Sequence, residues 1–279
     1  NSNQVFVGVG SDDVLAMSFL TFFNSDKPVL FPDVTYSFYK VWADLFKVPF
    51  ETPVLKEDFT IDVKDYEKED GGVIFPNPNA PTGVYMPLDQ VEEILKANQD
   101  VVVIVDEAYV DFAGPSALEL LDKYENLLVV QTFSKSRSMA GMRIGFAMGH
   151  PDLIRALNDV KYSYNSYTMN LPSLLAGVEA VKDKEYFEKT IEKIVATREH
   201  AKKRLTELGF TFPNSQSNFI FASHKSVPAG KIFEALKKEQ IYVRYFKTPG
   251  LDNSLRISIG TDEEMDTLFR FLEAYLPNA

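Results

Sequence analysis

A lysine stands directly behind an apolar strand at Lys135. The stretch from Leu127 to Met148 reads LLVVQTFSKSRSMAGMRIGFAM. Its first apolar run, Leu127 to Val130, turns polar at Gln131, Thr132 and Ser134, and Lys135 follows. Arg143 comes eight residues later, before a second apolar run, Ile144 to Met148. Open α/β sheets place ligand chemistry beyond the carboxyl ends of their strands, and an amine there can form a Schiff base with a carbonyl. Taken alone, Lys135 also reads as a solvated surface residue. Two further polar groups follow apolar runs in the same way. VVVIV, Val101 to Val105, ends abruptly in Asp106-Glu107-Ala108-Tyr109. A carboxylate at the end of a buried strand needs a partner, unless it only caps the next turn. Val73 to Phe75 runs into NPNAPTG, Asn77 to Gly83, where Pro78, Pro81 and Gly83 constrain a loop that carries two amide side chains.

The elements that position these groups alternate. Val5 to Val9 reads as a strand. A Gly10-Ser11-Asp12-Asp13 turn follows, then a helical pattern through Val14, Leu15, Phe19 and Phe22. Ser11 or Asp12 is expected to cap that helix. A strand, turn and helix start together form an anion site, though the same residues fit a plain capped helix. Short strands are expected at Pro28 to Phe31 and Phe50 to Leu55. The aromatics Tyr36, Phe38 and Tyr39 lie between them, either for stacking on a flat ligand or as core. The charged stretch Lys56 to Gly72 reads as loop with a short helix from Asp62 to Lys68. Pro87 opens a helix whose Leu88, Val91, Ile94 and Leu95 share a face, and a further helix is expected from Pro115 to Tyr124. Alternating strands and helices predict an α/β fold, a mainly parallel sheet with helices on both faces.

After Met148 the pattern changes. A helix from Asp152 to Val160 leads to a tyrosine-rich link (Tyr162, Tyr164, Tyr167), then helices at Leu171 to Val181 and Glu185 to Leu208, the second ending at Gly209. Strands at Asn218 to Ala222, Ile241 to Tyr245 and Ser254 to Ile259 and helices at Ala229 to Glu239 and Glu263 to Leu276 follow. Thr261 and Glu264 have capping-box spacing before the last helix. The expected division is a large domain over 1–170 and a small α+β domain over 171–279.

Composition narrows the function classes. Formal net charge is −11 without a basic block, which argues against nucleic acid and anionic membranes as partners. The absence of cysteine excludes disulfides, thiolate metal sites and a cysteine nucleophile. His150, His200 and His224 are scattered, so no metal is expected. No apolar stretch is long enough to span a bilayer and the first residues do not resemble a secretory signal, so the cytoplasm is the expected compartment. Gly8-Val9-Gly10 lacks the third glycine of a dinucleotide fingerprint.

A lysine, a carboxylate, a hydroxyl with an amide, and an arginine with hydroxyls and helix-start amides are what pyridoxal phosphate requires: a Schiff base, a partner for the ring nitrogen, holders of the ring oxygen and a phosphate cup. The motifs FPNPNAPTG, VDEAYVDF, TFSKSRSMAGMRIGF and SLRISIGT, in this order, resemble the fold-type I pyridoxal phosphate aminotransferases of class I/II over nearly the whole chain. Within that family they most resemble the histidinol-phosphate branch. The resemblance implies the three-layer large domain of that fold and the small carboxyl-terminal domain. It implies Lys135 as Schiff-base lysine and proton shuttle, Asp106 at the pyridine nitrogen and Tyr109 at the ring hydroxyl. Tyr36 would stack on the ring. Ser11, Asp12, Thr132, Ser134 and Arg143 would hold the phosphate. Arg256 and Arg244 would bind an anionic substrate, a role their bidentate geometry suits. The family's usual asparagine before Pro-Thr-Gly is Ala80 here, so Asn79 is expected at the ring oxygen. Family members carry a further segment before the strand at Val5, which predicts that this chain is part of a longer one.

The implied reaction moves an amino group between a small-molecule donor and a 2-oxo acid, in a homodimer. Sister activities on aromatic amino acids, or decarboxylation of phosphothreonine, fit the same motifs. So does a noncatalytic sensor module of the same fold.

Overall fold

In the computed structural model, residues 1–68 and 70–279 are described. The first half supplies β1 (Val5–Gly8), α1 (Ser11–Phe22), β2 (Val29–Leu30), α2 (Phe38–Phe46), β3 (Phe50–Glu51), β4 (Gly72–Pro76), α3 (Leu88–Ala97), β5 (Val103–Asp106), β6 (Leu127–Thr132), β7 (Gly145–Gly149) and α4 (Pro151–Tyr164). Its strands form one sheet in the order β1-β7-β6-β5-β4-β2-β3. All neighbours from β3 to β6 are parallel, and only β7 runs against β6 and β1. Alternate strand residues face opposite sides of a sheet, and both sides here are apolar. Ile74, Ile104 and Leu128 pack with α1, α2 and α4, whereas Val73, Phe75, Val103, Val105, Leu127 and Val129 pack with Val91, Ile94 and Leu95 of α3. The mainly parallel, three-layer α/β architecture expected from the sequence is therefore present, with β5 in its centre.

The second half supplies α5 (Leu171–Lys182), α6 (Lys184–Glu207), β8 (Phe210–Thr211), β9 (Phe219–His224), α7 (Ala229–Lys238), β10 (Arg244–Tyr245), β11 (Leu255–Ser258) and α8 (Asp262–Tyr275). Its strands form a separate antiparallel sheet, β10-β11-β9-β8. Ile220, Ala222, Leu255 and Ile257 of this sheet share a core with Leu205 of α6, Ile232 and Leu236 of α7, and Met265, Phe269 and Leu272 of α8.

Several local expectations change. Neither Ser11 nor Asp12 caps α1: the cap position is Gly10, at φ +87, and Ser11 is the first helical residue. Asp13, one turn in, accepts the Val9 amide instead. The helix expected from Pro115 to Tyr124 contracts to one 3-10 turn, Ala117–Leu120. Its start is held by Glu107, which accepts from the Ser116 hydroxyl and the Ala117 amide. Pro87 precedes α3 as its cap rather than opening its first turn. Strand β3 is two residues long, and Tyr162 and Tyr164 belong to α4 rather than to a link. The short strand β8 was not anticipated. In contrast, α6 (to Glu207) is followed by Gly209, at φ +84, as expected of its carboxyl end, and Thr261 and Glu264 form the expected capping box. No helix among the described residues is long and apolar enough to cross a membrane.

The capping box yields a stability test. Thr261→Ala removes the acceptor of the Glu264 amide and should destabilise the chain by about 1 kcal/mol, read as a lower urea midpoint with an unchanged m-value.

Candidate active site

Parallel pairing brings the groups singled out above to one edge of the sheet. Pro76 of β4, Asp106 of β5 and Val130 of β6 lie abreast in register, so the chain leaves all three strands on the same side. The 77–83 loop, Asp106-Tyr109 and Thr132-Lys135 emerge there as neighbours. The amino end of α1 joins them because Gly145 of β7 allows close contact: a Cβ at Gly145 would collide with the backbone of Gly10 and Ser11. Arg143, in the left-handed region at φ 50, brings its guanidinium so close to Gly10 that a side chain there would collide with it.

Ser11, Asp12, Tyr36, Asp106, Tyr109, Ser134, Lys135 and Arg143 line one cavity, together with Ala80 and Ala140. Lys135 Nζ lies 5.5 Å from the Tyr109 ring centroid. The Tyr36 hydroxyl donates to Asp12 Oδ1 at 2.9 Å, which draws the Asp12 carboxylate to one side of the helix start. Asp106 is buried. Its Oδ2 accepts from the Tyr39 hydroxyl at 2.8 Å and its Oδ1 from the Ala108 amide at 3.2 Å. Burial pushes its pKa up to about 6, although both hydrogen bonds favour the charged form.

Four expected residues lie outside the cavity lining. Asn79 donates to the Val34 carbonyl and the Thr82 hydroxyl and accepts from the Thr35 hydroxyl, so its amide braces the loop, and Ala80 faces the cavity in its place. Thr132 donates its hydroxyl toward Ser134 and the Ile144 carbonyl and accepts the Ser134 amide. It supports Ser134 from behind. Arg256 and Arg244 are cross-strand partners on β11 and β10. The Arg256 guanidinium lies 5.0 Å from the Phe219 ring centroid, and Phe219 meets the Tyr109 ring edge-on at 5.0 Å, which connects the second sheet to the cavity. Both guanidiniums also approach the Phe246 ring, at 5.5 Å for Arg244 and 6.0 Å for Arg256. Arg256 Nε is buried without a hydrogen-bond partner among the described residues.

The family follows from comparison with known proteins. The family model for aminotransferases of class I and II matches residues 1–272. This chain belongs to that family. It is 51% identical to a histidinol-phosphate aminotransferase of Brachyspira hyodysenteriae over 279 residues, all of this chain and 79% of that protein. A relative of the same name from Clostridium acetobutylicum is 54% identical over 265 residues, 95% of this chain and 75% of that protein. In fold it is similar to the crystal structure of a histidinol-phosphate aminotransferase from Sinorhizobium meliloti in complex with pyridoxal-5'-phosphate, with a TM-score of 0.86 at 23% identity, covering 99% of this chain and 76% of that one.

The cavity of this aminotransferase fits pyridoxal phosphate, the family's cofactor. Asp106 is a buried carboxylate held by neutral donors, with no ion pair among the described residues, and so suits a protonated ring nitrogen. Lys135 supplies an amine. The first-turn amides of α1, which have no partners within the helix, would join Ser134 and Arg143 as donors for a phosphate. Sequence reasoning missed three supporting residues. Phe219 joins the two sheets. Glu107, buried and pushed up to about 7 by burial, holds Ser116, Ala117 and Gln131. Tyr39 had a readable signal: a buried tyrosine hydroxyl needs an acceptor, and Asp106 was the one carboxylate expected at the end of a buried strand.

The raised carboxylates make stability pH-dependent in a defined direction. The folded, cofactor-free chain binds more protons than the unfolded chain between the ordinary carboxylate pKa, 3.8 for Asp106, and the raised values of about 6 and 7. Stability contributed by these groups is therefore full at the acidic end and lost as pH rises through that window. Urea midpoints of Asp106→Asn relative to the parent should shift in the variant's favour from about pH 4 to about pH 6. A constant difference would contradict the assignment of Asp106 as a destabilised buried charge.

Proposed function

We propose that this aminotransferase exchanges an amino group between L-histidinol phosphate and 2-oxoglutarate in histidine biosynthesis. The observation that carries the reaction is the meeting of Lys135 with Asp106 and the α1 start in one cavity. The phosphorylated substrate is supported by the names of relatives about half identical to this chain. It is also supported by Arg244 and Arg256, which lie side by side with no carboxylate paired to either among the described residues.

Bound pyridoxal phosphate supplies a carbonyl for amine exchange and a ring that accepts electrons. The chain's own residues do the rest. Asp106 holds the proton on the ring nitrogen. Arg143, Ser134 and the Ser11 and Asp12 amides bind the phosphate, with Thr132 fixing Ser134. Tyr36 and Tyr109, both in the cavity lining, would hold the ring, Tyr36 by its aromatic face and Tyr109 by its hydroxyl, with Asn79 stiffening the loop that carries Ala80. Lys135, in the cavity lining, would hold the carbonyl of the cofactor and serve as the base that moves the proton at the substrate carbon. Arg256 and Arg244 receive the phosphate end of one substrate and a carboxylate of the other in turn, so donor and acceptor share one site.

The same reading divides the chain into a cofactor domain over 1–170 and a substrate-closing domain over 171–279. It makes the protein a homodimer. The apolar stripe Leu171, Leu174, Leu175, Val178 and Val181 on α5, with Tyr162, Tyr164 and Tyr167, is exposed and supports association. The cytoplasm is the proposed compartment.

Borohydride reduction of the protein mixed with pyridoxal phosphate should place the label on Lys135, and Lys135→Ala should lose both label and turnover. Label on another lysine would remove the catalytic assignment. Histidinol phosphate should be turned over in preference to phenylalanine, and phosphothreonine should not be decarboxylated. Arg256→Ala should lower kcat/KM for histidinol phosphate roughly 10- to 100-fold through the loss of charged hydrogen bonds. An equal loss with an uncharged amine would show that Arg256 does not read the anion.

A further inference from the structure

We infer that Tyr39 is the positioning residue of the Asp106 carboxylate: its hydroxyl fixes Oδ2, while its ring braces the Tyr36 ring that lines the cavity. The inference rests on the proposed cofactor site, where Asp106 meets the ring nitrogen. Tyr39 is fully buried on α2. Its ring lies 5.7 Å edge-on to Tyr36, 5.9 Å from Phe31, and 6.3 Å from Phe19 and Trp42. A phenylalanine would fill that aromatic pocket equally well. The hydroxyl has a different task. It donates to Asp106 Oδ2 at 2.8 Å, across 67 residues of sequence.

Two donors from two elements, Tyr39 of α2 and the Ala108 amide after β5, hold the carboxylate oxygens in a defined plane. Burial favours the neutral acid, and a donor to the ionised form opposes it. The other charged or titratable groups acting on Asp106 are Asp12 at the start of α1, which favours protonation, and Lys135 after β6, which disfavours it. Tyr36 is near enough to feel the Asp106 charge. Asp12 and Lys135 act through space with opposite signs, so the Tyr39 hydroxyl is the side-chain bond that, with the Ala108 amide, favours the charged form of Asp106. A neutral Asp106 would not hold a proton on the ring nitrogen.

Tyr39→Phe tests this in the cofactor-free chain, so the result does not depend on whether pyridoxal phosphate is the cofactor. With carboxyl-13C aspartate, the Asp106 resonance (assigned by its loss in Asp106→Asn) should titrate about one pH unit higher in Tyr39→Phe than in the parent. Phe31→Leu, which alters packing on the same ring without touching the hydroxyl, should leave it in place. If both variants shift the titration alike, or neither does, the inference is overturned. If Tyr39→Phe does not fold, the parent labelled at tyrosine Cζ decides: the Tyr39 resonance should move with the Asp106 titration, and a static resonance overturns the inference. With pyridoxal phosphate added, Tyr39→Phe should bind it about tenfold more weakly while borohydride still labels Lys135. Failure of the labelling in the parent would instead count against the cofactor reading.

Discussion

A carboxylate held at the centre of the sheet imposes the main constraint on this molecule. Asp106 ends the middle strand, and desolvation there disfavours its charge strongly enough to raise its pKa to about 6. Such a group persists only if it is hydrogen-bonded or paired. The fold meets that requirement in part with the Tyr39 hydroxyl and the Ala108 amide and leaves the carboxylate facing the cavity for a cation. The aromatic cluster of Phe19, Phe31, Tyr36, Tyr39 and Trp42 is therefore more than core. It carries the donor that the carboxylate depends on and supports the ring wall beside it.

The side of the cavity at the α1 start depends on close backbone approach rather than on burial. Gly10 and Gly145 lie where any side chain would collide with Arg143 or with the start of α1. That contact requires β7 to be antiparallel to both β6 and β1, so that its first residue reaches the same edge of the sheet at which β6 ends. The one reversed strand in the sheet thus brings Arg143 beside the helix start. The negative Asp12 is compatible with this arrangement because its carboxylate bonds to Tyr36 while its amide stays on the helix end.

The second sheet joins through an aromatic contact. Phe219 lies edge-on to Tyr109 and beneath Arg256, which places a buried guanidinium atom, without a hydrogen-bond partner among the described residues, one ring away from the cavity. Arg198 strengthens the connection between the two halves, since its buried guanidinium donates to the carbonyls of Phe112, just after Tyr109, and Ser217, just before Phe219. The second sheet is thereby tied directly to the turn that follows the Asp106-Tyr109 segment.

Much of this was readable from residue order. Apolar runs broken by Asp106 and by Gln131, shortly before Lys135, marked strand ends, since an uninterrupted apolar run fits the interior of a parallel sheet. The Thr261-Glu264 spacing was sufficient for a cap because capping is local. The sequence by itself determined the α/β class, the family and the chemical identity of the main site groups. Only tertiary structure decided which side chains share a surface. It turned Asn79 into a brace and presented Ala80 instead, because Val34 and Thr35, more than forty residues away in sequence, take up its amide together with Thr82. It reduced the helix expected at 115–124 to one turn, because Glu107 captured its first donors. It also paired Tyr39 with Asp106 across 67 residues, a contact created by folding that no local spacing encodes.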